Sequence, residues 1–218
     1  NVIHVLDFGQ LESGRLYLAM EYIEGIDLAE LQHRDGPLPP LRIVSLMRQI
    51  CFALDEAHRH GVLHRDLKPE NIMVGDRPNM RDHVKVVDFG IAKVTDASQS
   101  LASVQSIGGL FCGTPEYMSP EQSRGGEIDG RSDLYSLGVI LYQLLVGHVP
   151  FQDATPLGVI TRHLSETPVA PEEIVPDVHR KLAALSLRLL SKEREQRVAS
   201  AMELASEFDY IESLLKGA

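Results

Sequence analysis

The chain has 218 residues, enough for one large domain with a substantial core. Its net charge of −10 argues against a nucleic-acid partner, which would call for a basic face. Two cysteines, Cys51 and Cys112, form neither a disulfide framework nor a metal spacing, which suits a reducing compartment. The longest apolar run, Leu137 to Gly147, is interrupted by Gln143 and too short to span a bilayer, and no signal peptide is visible. The first residue is Asn rather than Met, so the chain reads as a piece of something longer.

In chain order, Ile3 to Asp7 and Leu16 to Glu21 predict a strand pair, with turn residues from Gly9 to Gly14 between them. Glu24 to Asp27 reads as a polar break and Leu28 to Arg34 as a short helix. After the proline-rich stretch Gly36 to Pro40, a long helix is expected to about His60. Its apolar residues Ile43, Leu46, Met47, Ile50, Leu54 and Ala57 recur at spacings of three and four, so one stripe is buried. Gly61 is placed to end it in a left-handed cap. Short extended pieces follow at Val62–Leu63, Ile72–Val74 and Val84–Val87, with Asp76 to Asp82 as a polar connection. From Asp88 to about Ser119 the periodicity vanishes, which predicts a long loop. Ser119-Pro120-Glu121-Gln122 carries an N-cap, a first-turn proline and a capping-box Gln. A strongly apolar helix is expected over Arg131 to Val146, and three more over 156–164, 177–190 and 200–215.

One stretch carries the chemistry, His64-Arg65-Asp66-Leu67-Lys68-Pro69-Glu70-Asn71. It sets a carboxylate, an ammonium and a carboxamide in one short loop. Asp88-Phe89-Gly90, seventeen residues beyond Asn71, adds a second carboxylate. An isolated Asp66 would read as a solvated loop residue; Lys68 and Asn71 at their spacings outweigh that reading. His58, His60 and His64 invite a metal or general-base role. His58 and His60 instead fall in the last turn of a helix, where imidazolium suits the dipole.

Together with Gly113-Thr114-Pro115-Glu116-Tyr117 and Ser119-Pro120-Glu121, these motifs resemble the eukaryotic-type protein kinase family. Tyr17-Leu18-Ala19-Met20-Glu21-Tyr22 and Ser119 to Gln122 are most similar to its bacterial serine/threonine branch. The resemblance covers essentially all of the chain and implies an α+β, protein-kinase-like fold. Residues 1–23 would be a remnant of the small lobe, holding its last strands and the hinge. Residues 24–218 would form the mostly helical large lobe, with an activation segment at 88–121.

The resemblance assigns roles residue by residue. Asp66 is the carboxylate that orients the attacking hydroxyl, Lys68 neutralises charge on the transferred phosphoryl, and Thr114 bonds toward both. Asn71 and Asp88 are the Mg²⁺ ligands. Met20 gates the back of the adenine pocket, the Glu21 carbonyl and Ile23 amide bond the adenine edge, Asp27 meets the ribose and Met73 floors the ring. Arg65 would receive a phosphate on the loop, where Leu110 stands at a common phosphothreonine position and Ser103 and Ser106 remain as acceptors. His64 packs beneath the catalytic loop, Glu121 pairs with Arg197, and Asp133 holds the loop backbone from the buried helix. Gln143 stands where relatives that select basic peptides carry Glu.

ATP, Mg²⁺ and protein substrates follow from the resemblance, with a second copy of the chain as a partner for autophosphorylation. It also implies a cytoplasmic domain, with membrane attachment of a longer protein left open. The Gly-rich loop, the strand lysine and its partner glutamate are not in this sequence, whose first lysine is Lys68. The expectation is therefore an inactive fragment of an active kinase. A pseudokinase acting as a binding module is the alternative, and a small-molecule kinase, which lacks the Gly-Thr-Pro-Glu loop, ranks below both.

Overall fold

A computed structural model describes residues 1–78, 80–89 and 114–217. The expected strand pair forms as an antiparallel hairpin, β1 (Val5–Gln10) with β2 (Leu16–Met20). Strand β1 starts and ends later than its apolar pattern predicts. Ile3 is drawn away to the edge of a second sheet, where its N–H donates to the Val86 carbonyl at 3.0 Å. That second sheet is β3 (Ile26–Asp27), β4 (Ile72–Arg77) and β5 (Met80–Val86), antiparallel throughout. Parts of the stretches read as a polar break and a polar connection, residues 26–27, 76–77 and 80–82, are thus strand. The alternate residues Ile72, Val74, Val84 and Val86 of β4 and β5 are buried, while His83, Lys85 and Arg77 lie on the other face. Val62–Leu63 is not a strand.

The helical body comprises α1 (Leu28–Asp35), α2 (Pro40–Arg59), α3 (Pro120–Arg124), α4 (Gly130–Val146), α5 (Pro156–Ser165), α6 (Pro171–Ile174), α7 (Arg180–Leu189) and α8 (Ala201–Gly217). All six stripe residues of α2 are buried, facing α8 and β5. The helix ends where Gly61 takes φ +73°, with the Val62 N–H donating to the Ala57 carbonyl and the Gly61 N–H to His58. That pair of bonds is a Schellman cap, and it absorbs the residues read as an extended piece. Helix α4 is the axis of the body: every residue from Ser132 to Tyr142 is buried, as expected of a helix apolar on all sides. No helix among the described residues is long and apolar enough to cross a membrane.

Two features hold the three-stranded sheet to its neighbours. Gln49 of α2, buried, accepts from the Val84 N–H and donates to the Asp82 carbonyl, satisfying the edge of β5. Gly75 on β4 lies so close to the Glu24 carbonyl that an added Cβ would stand 2.1 Å from its oxygen. Side-chain-free backbone at that crossing lets the chain leaving β2 run flat against β4. Gly75→Ala should therefore lower stability by about 1–3 kcal/mol in urea denaturation. Gly126→Ala, whose nearest neighbour is 3.6 Å away, should change it little.

Candidate active site

The loop after α2 is held from beneath by one carboxylate. Asp133, in the first turn of α4 and 1% exposed, accepts from the His64 N–H at 2.9 Å and the Arg65 N–H at 2.8 Å. Its Oδ2 also bonds His58 Nε2 at 2.7 Å. His58 therefore belongs to the loop's support rather than to a solvated helix end, a partnership that spacing along the chain does not reveal. His60, by contrast, is largely exposed, and its ring Nδ1 bonds the Glu56 carbonyl.

His64 is buried and packs against Phe89 with the rings tilted, 4.9 Å between centroids. Its Nε2 meets the Val87 carbonyl at 2.9 Å, so that nitrogen carries the proton. Burial pushes its pKa below the ordinary histidine value, against the pull of Asp133. Arg65 has φ +68° and Asp88 φ +62°. A side chain enters that region only when its surroundings hold it there, and such residues cluster at working sites.

Around the bend, two of the three polar groups meet Thr114. Lys68 Nζ donates to Thr114 Oγ1 at 3.0 Å and lies 3.3 Å from Asp66 Oδ2, while the Thr114 N–H reaches Asp66 Oδ1 at 3.2 Å. Asp66 remains 41% exposed, open toward an acceptor. Asn71 Nδ2 donates to the Asp66 carbonyl at 2.9 Å, which leaves its Oδ1 without a donor among the described residues. The Val87 N–H donates to the Asn71 carbonyl at 2.9 Å, and this pairing sets Asp88 beside Asn71 at adjoining ends of β5 and β4. Two hard oxygens there match the needs of Mg²⁺, with further ligands required from elsewhere.

On the hinge side, Met20 ends β2 and lines an apolar cavity of about 300 Å³ with Leu18, Val62, Asp88 and Phe89. Glu21 spends its carboxylate on the His4 N–H and on Lys85 of β5, which holds its pKa below the ordinary glutamate value. Neither the Glu21 carbonyl nor the Ile23 amide takes a hydrogen bond among the described residues. Asp27 and Met73 are register partners across β3 and β4. Asp27 Oδ1 caps α1 by accepting from the Glu30 N–H at 2.8 Å, so one of its oxygens is spoken for by the scaffold.

Below the docking loop, Glu121 of α3 meets Arg197 in a two-pronged ion pair of 2.7 and 2.8 Å. The Arg197 side chain is fully buried, with all five of its N–H groups used: the remaining bonds go to the carbonyls of Ser191, Arg131 and Lys192. It also lies over the Tyr135 ring. Ser132 adds a hydroxyl donor to Glu121 at 2.6 Å. Gln143 accepts from the Tyr117 hydroxyl at 2.7 Å beside the docking loop. Gly90, Ser103, Ser106, Leu110, Cys112 and Gly113 lie outside the described residues.

Similarity to known proteins agrees with this geometry. The family model for the protein kinase domain matches residues 1–209. The chain belongs to the protein kinase family. Its relatives place it in the bacterial serine/threonine branch of the eukaryotic-type kinases. It is 49% identical to the serine/threonine-protein kinase pkn3 of Myxococcus xanthus, over 97% of this chain and 39% of that one. To the PknB kinase of Mycolicibacterium smegmatis it is 39% identical, over 94% of this chain and 32% of the other. It thus spans well under half the length of these relatives. The crystal structure of a double mutant of the Mycobacterium tuberculosis PknI kinase domain superposes with a TM-score of 0.72. That match has 26% identity and covers 97% of this chain and 72% of the other.

The Glu121–Arg197 pair of this kinase chain has two measurable consequences. Arg197→Ala strands the Glu121 carboxylate and should cost about 3–5 kcal/mol in urea denaturation. Burial raises the Glu121 pKa, but the Arg197 and Ser132 bonds outweigh it and leave it below the ordinary glutamate value of 4.5. Its stabilisation is therefore complete above pH 4.5 and lost as pH falls through the lower folded value. Denaturation midpoints of Glu121→Gln should fall less steeply than wild type in that acid range.

Proposed function

We propose that this chain carries the catalytic loop and substrate-docking half of an ATP- and Mg²⁺-dependent serine/threonine protein kinase. The observation that carries the reading is the triangle of Asp66, Lys68 and Thr114, in which one ammonium touches both the carboxylate and the docking-loop hydroxyl. An acceptor Ser or Thr hydroxyl directed by Asp66 forms its O–P bond to the γ-phosphorus as the bond to the ADP oxygen breaks. The hydroxyl proton passes late to Asp66. Lys68 offsets the negative charge that gathers on the phosphoryl oxygens. Asn71 and Asp88 would hold Mg²⁺, which when bound neutralises phosphate charge. The Glu21 carbonyl and Ile23 amide would take the adenine edge, Met20 and Met73 would border it, and Asp27 would face the ribose with its uncommitted oxygen.

The substrate is a protein, and Gln143 supplies no negative charge for a basic residue in it. Arg65, Ser103 and Ser106 would form the regulatory set of the activation segment. His64, Asp133, Glu121 and Arg197 would serve as scaffold, and a second copy of the chain would serve autophosphorylation. The phosphate clamp is not in this sequence, so residues outside it would complete the site. Leu6, Phe8 and Leu16 of the β1–β2 hairpin, each more than 60% exposed, support that reading. A kinase-like binding module is the second reading, favoured only by the lack of any lysine before Lys68.

In the full-length protein, Asp66→Asn and Asp88→Asn should each lower phosphorylation of a Ser/Thr peptide by on the order of 100-fold or more. Retained activity would remove these roles, and a wild type without activity would favour the binding module. The 218-residue chain alone should show no turnover in the same assay.

A further inference from the structure

Arg65 sits directly before Asp66 with φ +68°, and its two flanking peptide groups are fixed from different directions. On the amino side its N–H donates to Asp133 Oδ1 at 2.8 Å. On the carboxyl side its carbonyl accepts from Gln122 Nε2 at 2.7 Å. That second bond orients the peptide plane leading into Asp66, and so the direction in which the carboxylate leaves the backbone.

Gln122 is already occupied at its other end. It stands at the third position of α3, where its Oε1 accepts from the Ser119 N–H at 3.0 Å and its own N–H donates to Ser119 Oγ at 3.4 Å. Glu closes such a capping box as well as Gln does. The Arg65 carbonyl discriminates between them. A carboxamide has both an acceptor and a donor, whereas a carboxylate only accepts and would turn a second oxygen on the carbonyl. The one side chain thus joins the helix that follows the docking loop to the backbone of the catalytic loop.

We infer that Gln122 is a positioning residue for the transfer reaction, holding the Arg65–Asp66 peptide in register with the docking loop through its carboxamide N–H. It touches no reacting atom and acts through Arg65 on Asp66. The inference rests on the kinase reading above for its effect on rate, while the bond itself can be tested without any activity.

The test compares full-length wild type with Gln122→Glu, which keeps the capping acceptor and loses the donor. Hydrogen exchange read by mass spectrometry should show faster exchange in the segment 64–67 of the variant, with α3 as protected as in wild type. Steady-state kinetics on a Ser/Thr peptide should show kcat lowered about tenfold or more, with KM for ATP within about twofold of wild type. Should Gln122→Glu fail to fold, Gln122→Met, which also cannot donate, replaces it in both measurements. Unchanged exchange in 64–67 overturns the positioning bond. Faster exchange with unchanged kcat overturns its role in the reaction. If wild type itself phosphorylates no peptide, the kinase reading falls, and exchange alone decides whether Gln122 orders the loop.

Discussion

A single buried carboxylate decides where the catalytic loop lies. Asp133 is 1% exposed and is surrounded by three donors, the amides of His64 and Arg65 and the ring of His58. A charge in that position is tolerable only when its oxygens are filled, so the loop and the carboxylate hold each other in place. The arrangement needs a rigid platform, which α4 provides by being buried on every side. Loop position is thereby referred to the protein core rather than to the partly exposed face on which Asp66 lies.

The docking side has its own anchor of the same kind. Glu121 and Arg197 bring α3 down onto the body, and all five guanidinium N–H groups of Arg197 are satisfied. The buried Asp133 and the part-buried Glu121 thus fix two loops, and Lys68, Asp66 and Thr114 meet where those loops approach. The working groups stay partly exposed while the groups that place them are sealed away. This division leaves Asp66 and Lys68 accessible while their placement is set by groups packed into the body.

Local signals were readable wherever the physics is local. The α2 stripe, the Gly61 cap and the Ser119 capping box follow from side chains within a few residues of one another, and each formed. The hairpin of β4 and β5 was legible only at its apolar ends. Its remaining residues are mostly polar and lie at the more exposed end of the hairpin, so alternation did not separate strand from connection. Gln49, Gly75 and His58 gave no signal, since each is explained by a neighbour far along the chain: Val84, Glu24 and Asp133. Gln122 was legible as a cap but not as a bridge, because its second partner, Arg65, is also remote in sequence.

Sequence alone determined the reaction class this chain resembles and the residues that would carry it. Spacing within short loops is a covalent property and survives in one dimension. Tertiary structure decided what those residues are attached to. It showed that Asp27 is half committed to capping α1 and that Glu21 is bound to Lys85. It also showed that the strained Arg65 is pinned between Asp133 and Gln122. Such facts depend on which distant groups share a buried volume, and only the packing of α4, α3 and the β3–β5 sheet brings those groups together.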